Sequence, residues 1–214
     1  MIKDTPVRII QWAFIGVEKF LLRHFSKVSF YDIPEVDKDK ATLLLMNHFS
    51  FNDGPILHRL CRRILKKQFK VMVVEEQLKA FSILKYVGCF SVNKTSRTVI
   101  ESLNYAASQL DNPDNMLGIF PQGEVYSSHL NRVHFESGLE RILKKTKKPI
   151  QILFTVALLD YLDNFKPHAR VYLQEYTGPK NLEEMEKSYN EFYRASKRKQ
   201  QALHRPPAHL IDGI

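Results

Sequence analysis

Two short blocks of this sequence carry side chains suited to acyl and proton transfer. The first is Asn47-His48-Phe49-Ser50-Phe51-Asn52-Asp53-Gly54, and the second is Phe120-Pro121-Gln122-Gly123-Glu124. Imidazole titrates near neutrality, so His48 can act as a general base once a partner fixes its tautomer and stabilises the imidazolium. Asp53 is the candidate partner, in the pairing that activates hydroxyl groups for acyl transfer. Residues five apart on one regular helix point roughly 140° away from each other, which is a poor geometry for contact. The pair can meet if His48 lies in a loop and Asp53 caps the following helix, as the Asn-Asp-Gly-Pro composition favours. The alternative is a capping Asp beside an unrelated loop His. In the second block Pro121 and Gly123 force a turn, and Gly123 lets a ligand approach the main chain. A backbone N–H there, with Gly123 the first candidate, can stabilise an oxyanion. A strand-ending turn without chemical duty is the alternative.

Both blocks follow directly on apolar runs, and that places them. The candidate strands are Ala41–Met46, Phe69–Val74, Cys89–Val92, Met116–Phe120 and Ile150–Val156, with Val171–Tyr176 a weaker sixth. Nearly continuous apolar runs of this length suit strands covered on both faces. Helical spacing of apolar residues marks Gly54–Lys67, Ser96–Leu110 and Gly138–Lys145 between them. The alternation predicts an α/β fold, with a mostly parallel central sheet flanked by helices. The two blocks then fall where parallel strands end, the usual place for a ligand. Asn181–Leu203 reads as a charged terminal helix with an acidic start and a basic finish, stopped by Pro206-Pro207. Its Lys197, Arg198 and Lys199 suit anionic lipid or, more simply, a solvated helix end.

Composition narrows the classes. The chain has 214 residues, 44% apolar and 26% charged, which excludes a disordered or collagen-like polymer. Cys61 and Cys89 are the only cysteines, too few and too isolated for a disulfide framework or a zinc site, so no metal is expected. A net charge of +9 favours a polyanionic partner. The basic residues are scattered rather than set in one stripe with aromatics, which argues against nucleic acid. At the N-terminus, Val7–Phe25 has an uncharged run only from Ile9 to Val17, well short of the roughly 20 residues of a spanning helix. A secretory signal is a poor fit, because no small-residue cleavage site follows. An amphipathic helix with Trp12 and Phe14 meeting a membrane interface fits, and so does a first helix packed on its own core.

In combination, Asn47-His48-x-x-x-x-Asp53 and Phe120-Pro121-x-Gly123 resemble the glycerolipid acyltransferases of the lysophosphatidic acid acyltransferase type. Gly88-Cys89-Phe90-Ser91-Val92-Asn93-Lys94 is similar to that family's second block, and Lys148-Pro149-Ile150-Gln151-Ile152 to its fourth. The resemblance spans about residues 40 to 157, in the family's order. It implies a membrane-associated enzyme of lipid metabolism, of the kind used in phospholipid biosynthesis. A fatty acyl chain would pass from acyl-CoA or acyl carrier protein to a hydroxyl of a lysophospholipid such as 1-acylglycerol-3-phosphate. His48 and Asp53 would form the base, and Phe120 to Glu124 the oxyanion and substrate loop. Asn47, Lys94, Arg97 and Arg132 are then candidates to hold the anionic groups of donor or acceptor, and no cofactor is required.

Departures in three of the four blocks bear on the acceptor. Gln122, Glu124 and Val125 stand where the family's third block has Glu, Thr and Arg; Lys94 replaces an Arg, and Ile152 a Pro. Loss of the Arg removes a planar, bidentate phosphate ligand, while Glu124 adds a carboxylate. An aminolipid or hydroxylated pigment is therefore an alternative acceptor, and a non-catalytic lipid-binding homologue is a further reading. The expected organisation is an interfacial helix at 1–26, the catalytic α/β domain at 27–180, and a C-terminal helix and tail at 181–214 packed on that domain. The expected location is the cytoplasmic face of a membrane, peripheral or monotopic.

Overall fold

The computed structural model describes residues 1–93 and 98–204, so Lys94 and Arg97 lie outside the described residues. Seven strands form one sheet: β1 (Lys27–Tyr31), β2 (Ala41–Met46), β3 (Gln68–Val74), β4 (Cys89–Val92), β5 (Asn115–Ile119), β6 (Ile150–Asp160) and β7 (His168–Tyr176). Their order is β1-β7-β6-β2-β5-β3-β4. All pairings are parallel except β6 with β7, which form an antiparallel hairpin. Every residue of β2 is buried, as a central strand covered on both faces requires.

Helices α1 (Arg8–Leu21) and α2 (Asp53–Leu60), with the short α3 (Glu75–Ala80) and α4 (Leu84–Val87), cover one face. Leu44, Met46, Leu153 and Ala157 point to that side. Helices α5 (Val99–Gln109), α6 (Gly138–Lys145) and α7 (Leu182–Gln201) cover the other, over Leu43, Leu45, Phe154 and Val156. The alternation along β2 and β6 is the period-two rule applied to a sheet with two cores. A π-helical turn, Cys61–Leu65, extends α2 before the chain reverses at Lys66. Gly88 sits between α4 and β4 at φ 128°, where a Cβ would lie 1.9 Å from the carbonyl oxygen of Phe69, so no other residue fits.

The N-terminal segment is knitted into this body. The backbone of Ile2 exchanges hydrogen bonds with Ser91 of β4, Lys70 of β3 meets Asp4 at 2.5 Å, and Tyr105 donates to Asp4 at 2.6 Å. Glu18 of α1, completely buried, accepts from His58 (2.7 Å), Arg59 (2.8 Å) and Arg62 (3.1 Å), which fastens α1 onto α2 and its extension. Burial works to raise the Glu18 pKa, but the hydrogen bonds of His58 and Arg59 and the charges of His58 and Arg62 outweigh it, lowering it to about 2.

Candidate active site

Strands β2 and β5 are parallel neighbours, with Leu45 paired to Ile119, so the chain leaves both at the same end of the sheet. His48 and Phe120 emerge there side by side, and their rings stack at 4.2 Å with an angle of 17°. His48 lies in the loop and Asp53 opens α2, the arrangement that brings residues five apart together. His48 Nδ1 lies 2.7 Å from Asp53 Oδ2, which also accepts from the main-chain N–H groups of Phe49 (2.8 Å) and Ser50 (2.9 Å). A carboxylate already serving as acceptor to two amides takes a third hydrogen, so the Nδ1 of His48 carries the proton. The acceptor lone pair is then on Nε2. Asp53 is fully buried, while His48 stays partly open and lines a cavity.

The structure gives three of the expected anion contacts other partners. Asn47 is buried, its amide donating to the Ala157 carbonyl (3.0 Å) and its oxygen accepting the Ala157 N–H (2.8 Å). Both polar atoms of the Asn47 side chain are thereby engaged in continuing the β2–β6 ladder. Arg132 is exposed, reaches Glu186 at 3.9 Å, and is not among the cavity-lining residues. The Gly123 N–H donates to the Phe120 carbonyl at 3.0 Å within the turn. Gly123 itself is at φ 70° and lines the cavity, as do Phe120 and Pro121. Gln122 is buried, and its Oε1 accepts the main-chain N–H of His48 at 2.7 Å. That duty was not readable from the sequence. Pro121 accepts from the Glu136 N–H (2.8 Å), and the Tyr126 N–H donates to the His48 carbonyl (3.1 Å), which closes the loop over the site. Glu124 is on the exposed side of that loop.

The cavity has a volume of about 950 Å³, near the top of the roughly 300–1,000 Å³ usual for ligand pockets. Its wall is largely apolar: Phe14 and Leu21 of α1, Phe69 and Val71 of β3, Val87, Leu103 and Ile142 all contribute. Exposed Phe51, Phe81, Ile83 and Val125 form its rim. The only charged residue among the described lining residues is Glu136. Cys89 also lines it, as a thiol that burial pushes up to about 12, so it is an inert apolar surface. Among the described residues no cluster of side chains is suited to hold a metal ion.

Helix α1 turns its sides opposite to part of the expectation. Trp12 is 76% exposed, but Phe14 is 8% exposed and packs edge-on against His58. Phe14 is therefore a core and cavity residue, not a membrane contact. The exposed stripe is Ile9, Trp12, Ala13, Gly16, Val17 and Phe20, at helical spacing. No helix among the described residues is long and apolar enough to cross a membrane.

The structure is thus an α/β sheet in which the imidazole of a His–carboxylate pair lines a largely apolar cavity. Comparison with known proteins gives the family: the chain matches Acyltransferase over residues 27–154, and it belongs to that family. The resemblance read from the four blocks is thereby confirmed, and the enzyme class is acyltransferase. Among solved structures it is similar to the 1-acyl-sn-glycerophosphate (LPA) acyltransferase PlsC from Thermotoga maritima, at 18% identity and a TM-score of 0.63, covering 91% of this chain and 82% of that one. No curated protein matches.

Proposed function

We propose that this enzyme moves a fatty acyl chain from an acyl thioester, carried by coenzyme A or acyl carrier protein, to a hydroxyl of a lysophospholipid such as 1-acylglycerol-3-phosphate. The observation that carries the reading is the 2.7 Å contact of His48 Nδ1 with a buried, triply bonded Asp53, at the mouth of the 950 Å³ apolar cavity. His48 Nε2 removes the proton of the acceptor hydroxyl as its oxygen attacks the thioester carbonyl. Asp53 keeps the imidazole in the right tautomer and stabilises the imidazolium. The C–S bond then breaks, and the imidazolium returns the proton to the thiolate that leaves. No covalent enzyme intermediate is needed, because the thioester is already activated. The cavity shields the acyl chain from water while its carbonyl is held at the strand ends.

A lipid acceptor and a water-soluble donor meet at an interface, and the surface suits one. The apolar stripe of α1 faces outward, and Val17 of that stripe also lines the cavity beside the rim. With the net charge of +9, this favours peripheral docking on the anionic, cytoplasmic face of a membrane. A second acceptor class is favoured by the acidic residues on this side: Glu136 at the cavity and Glu124 in the loop suit an amine-bearing lipid better than a phosphate.

The test is turnover by the purified protein with palmitoyl-CoA and palmitoyl carrier protein against lysophosphatidic acid, an amine-bearing lysolipid and a hydroxylated pigment. Replacing His48 by Ala is expected to reduce turnover about a thousandfold or more with the fold intact. Near-normal turnover in that variant would remove the mechanism.

A further inference from the structure

We propose that the tip of the β6–β7 hairpin is a second membrane-docking element, with Tyr161, Leu162 and Phe165 entering the interface of an anionic leaflet beside α1. The inference rests on the interfacial reading given above and extends it to a part of the chain outside the matched family segment.

The register of the sheet sets the position. Strand β6 runs parallel to β2, so its C-terminal end lies on the same side of the sheet as His48. Met46, the last residue of β2, pairs with Thr155, and β6 continues five residues further to Asp160. At about 3.3 Å per residue the hairpin extends about 16 Å past the end of β2, at the end of the sheet that carries His48. Few soluble proteins place three large apolar side chains on a loop tip without a partner. Here Phe165 is fully exposed, Tyr161 is 61% exposed and Leu162 47%.

The tip also joins the exposed face of α1. Lys166 donates to the Arg23 carbonyl at 3.0 Å, and the N–H of Ser26 donates to the Pro167 carbonyl at 2.9 Å. The Arg23 guanidinium in turn lies over the Phe20 ring, 3.9 Å from its centroid. Phe20 ends the apolar stripe of the helix, so the stripe, two cations and the tip form one run. Charge selects the occupant. Lys166 of the hairpin and Arg23 and Lys27 on the segment joined to its base outnumber Asp163 there, while Asp160 faces Arg170 at 3.6 Å. Aromatic and aliphatic side chains with basic residues behind them suit acyl chains with anionic head groups.

The experiment is co-sedimentation of the full chain with vesicles of phosphatidylglycerol and phosphatidylcholine. The variants are Leu162→Asn with Phe165→Ser, and separately Trp12→Ser; Asn suits position 162, where φ is 48°. The hairpin variant is expected to bind vesicles about tenfold more weakly with unchanged thermal unfolding, and Trp12→Ser to weaken binding as well. Loss with Trp12→Ser but wild-type binding by the hairpin variant would overturn the hairpin inference alone. Wild-type binding by both would overturn the interfacial reading together with it. A change in the oligomeric state of the lipid-free hairpin variant would make the tip a protein contact and likewise overturn the proposal. Because Trp12 is the only tryptophan, Trp12→Phe with Phe165→Trp provides an independent readout. Its emission should shift to the blue on vesicles, and unchanged emission on vesicles that bind the protein would refute insertion.

Discussion

The main-chain N–H of His48 donates to Oε1 of Gln122 at 2.7 Å, so a side chain from the β5 loop fixes the backbone that carries the imidazole. The glycerolipid family pattern has Glu at this position, and either side chain offers an oxygen to that amide. Gln122→Ala should leave the His48 N–H without its protein acceptor and let the loop drift. A misplacement of about 1 Å at a reacting group can cost about a hundredfold in rate. The expected result is a fall in kcat of that order with a smaller change in KM, and recovery of most of the loss in Gln122→Glu. Equal loss in both variants would mean that the amide nitrogen of Gln122, not its oxygen, is what matters.

Asp53 offers a sharper separation of roles. Asp53→Asn retains an oxygen for the Phe49 and Ser50 amides but no longer takes the proton of Nδ1 as a carboxylate does. Turnover should fall by about 10³–10⁴ through the wrong tautomer, with stability nearly kept. Asp53→Ala should lose the same activity and also leave the Phe49 and Ser50 amides without their acceptor, which destabilises the fold by about 1–3 kcal/mol. Steady-state kinetics beside urea unfolding of the two variants checks both statements.

Much of this site was legible because its elements are local. The bounds of β2 and β4 follow from short apolar runs, and the two site loops follow directly on the runs of β2 and β5. Strand β1 was missed because Lys27-Val28-Ser29-Phe30-Tyr31 is a partly exposed edge whose apolar signal is weak. What escaped is long-range. Both polar atoms of Asn47 meet Ala157, 110 residues away, and Glu18 finds His58 forty residues on. A carboxylate inside an apolar helix reads as an interruption until its cations are known. Helical spacing likewise could not assign Phe14 inward and Trp12 outward, since apolar residues occur on both sides of α1.

The Glu18 cluster makes stability depend on pH. Its carboxyl titrates at about 2 in the fold against 4.5 as the ordinary value, so between these the folded state binds fewer protons. The contribution is therefore complete above about pH 4.5, declines as pH falls, and is gone near pH 2. Glu18→Gln should cost on the order of 3 kcal/mol at pH 7. Guanidinium unfolding at pH 7 and pH 3 should show the gap to wild type narrowing. A gap of the same size at both would exclude the carboxylate charge as its source.

The pairing of Lys70 with Asp4 tests whether the N-terminal segment is part of the folded body. Both side chains are nearly buried, 2.5 Å apart, and Tyr105 adds its hydroxyl to the same carboxylate. Burial and the neighbouring Asp4 hold the Tyr105 phenol well above its usual titration range, so it stays a donor. Asp4→Ala strands an ammonium in the wall of β3 and should destabilise by about 3–5 kcal/mol. Removing the stranded charge as well, with Lys70→Met, should restore much of that loss, because an apolar side chain of similar length fits a buried site without a partner. Thermal unfolding of the two single variants and the double variant gives the coupling directly. If Asp4→Ala is as stable as wild type, the first residues are a detachable arm, and the sheet edge at β4 does not depend on them.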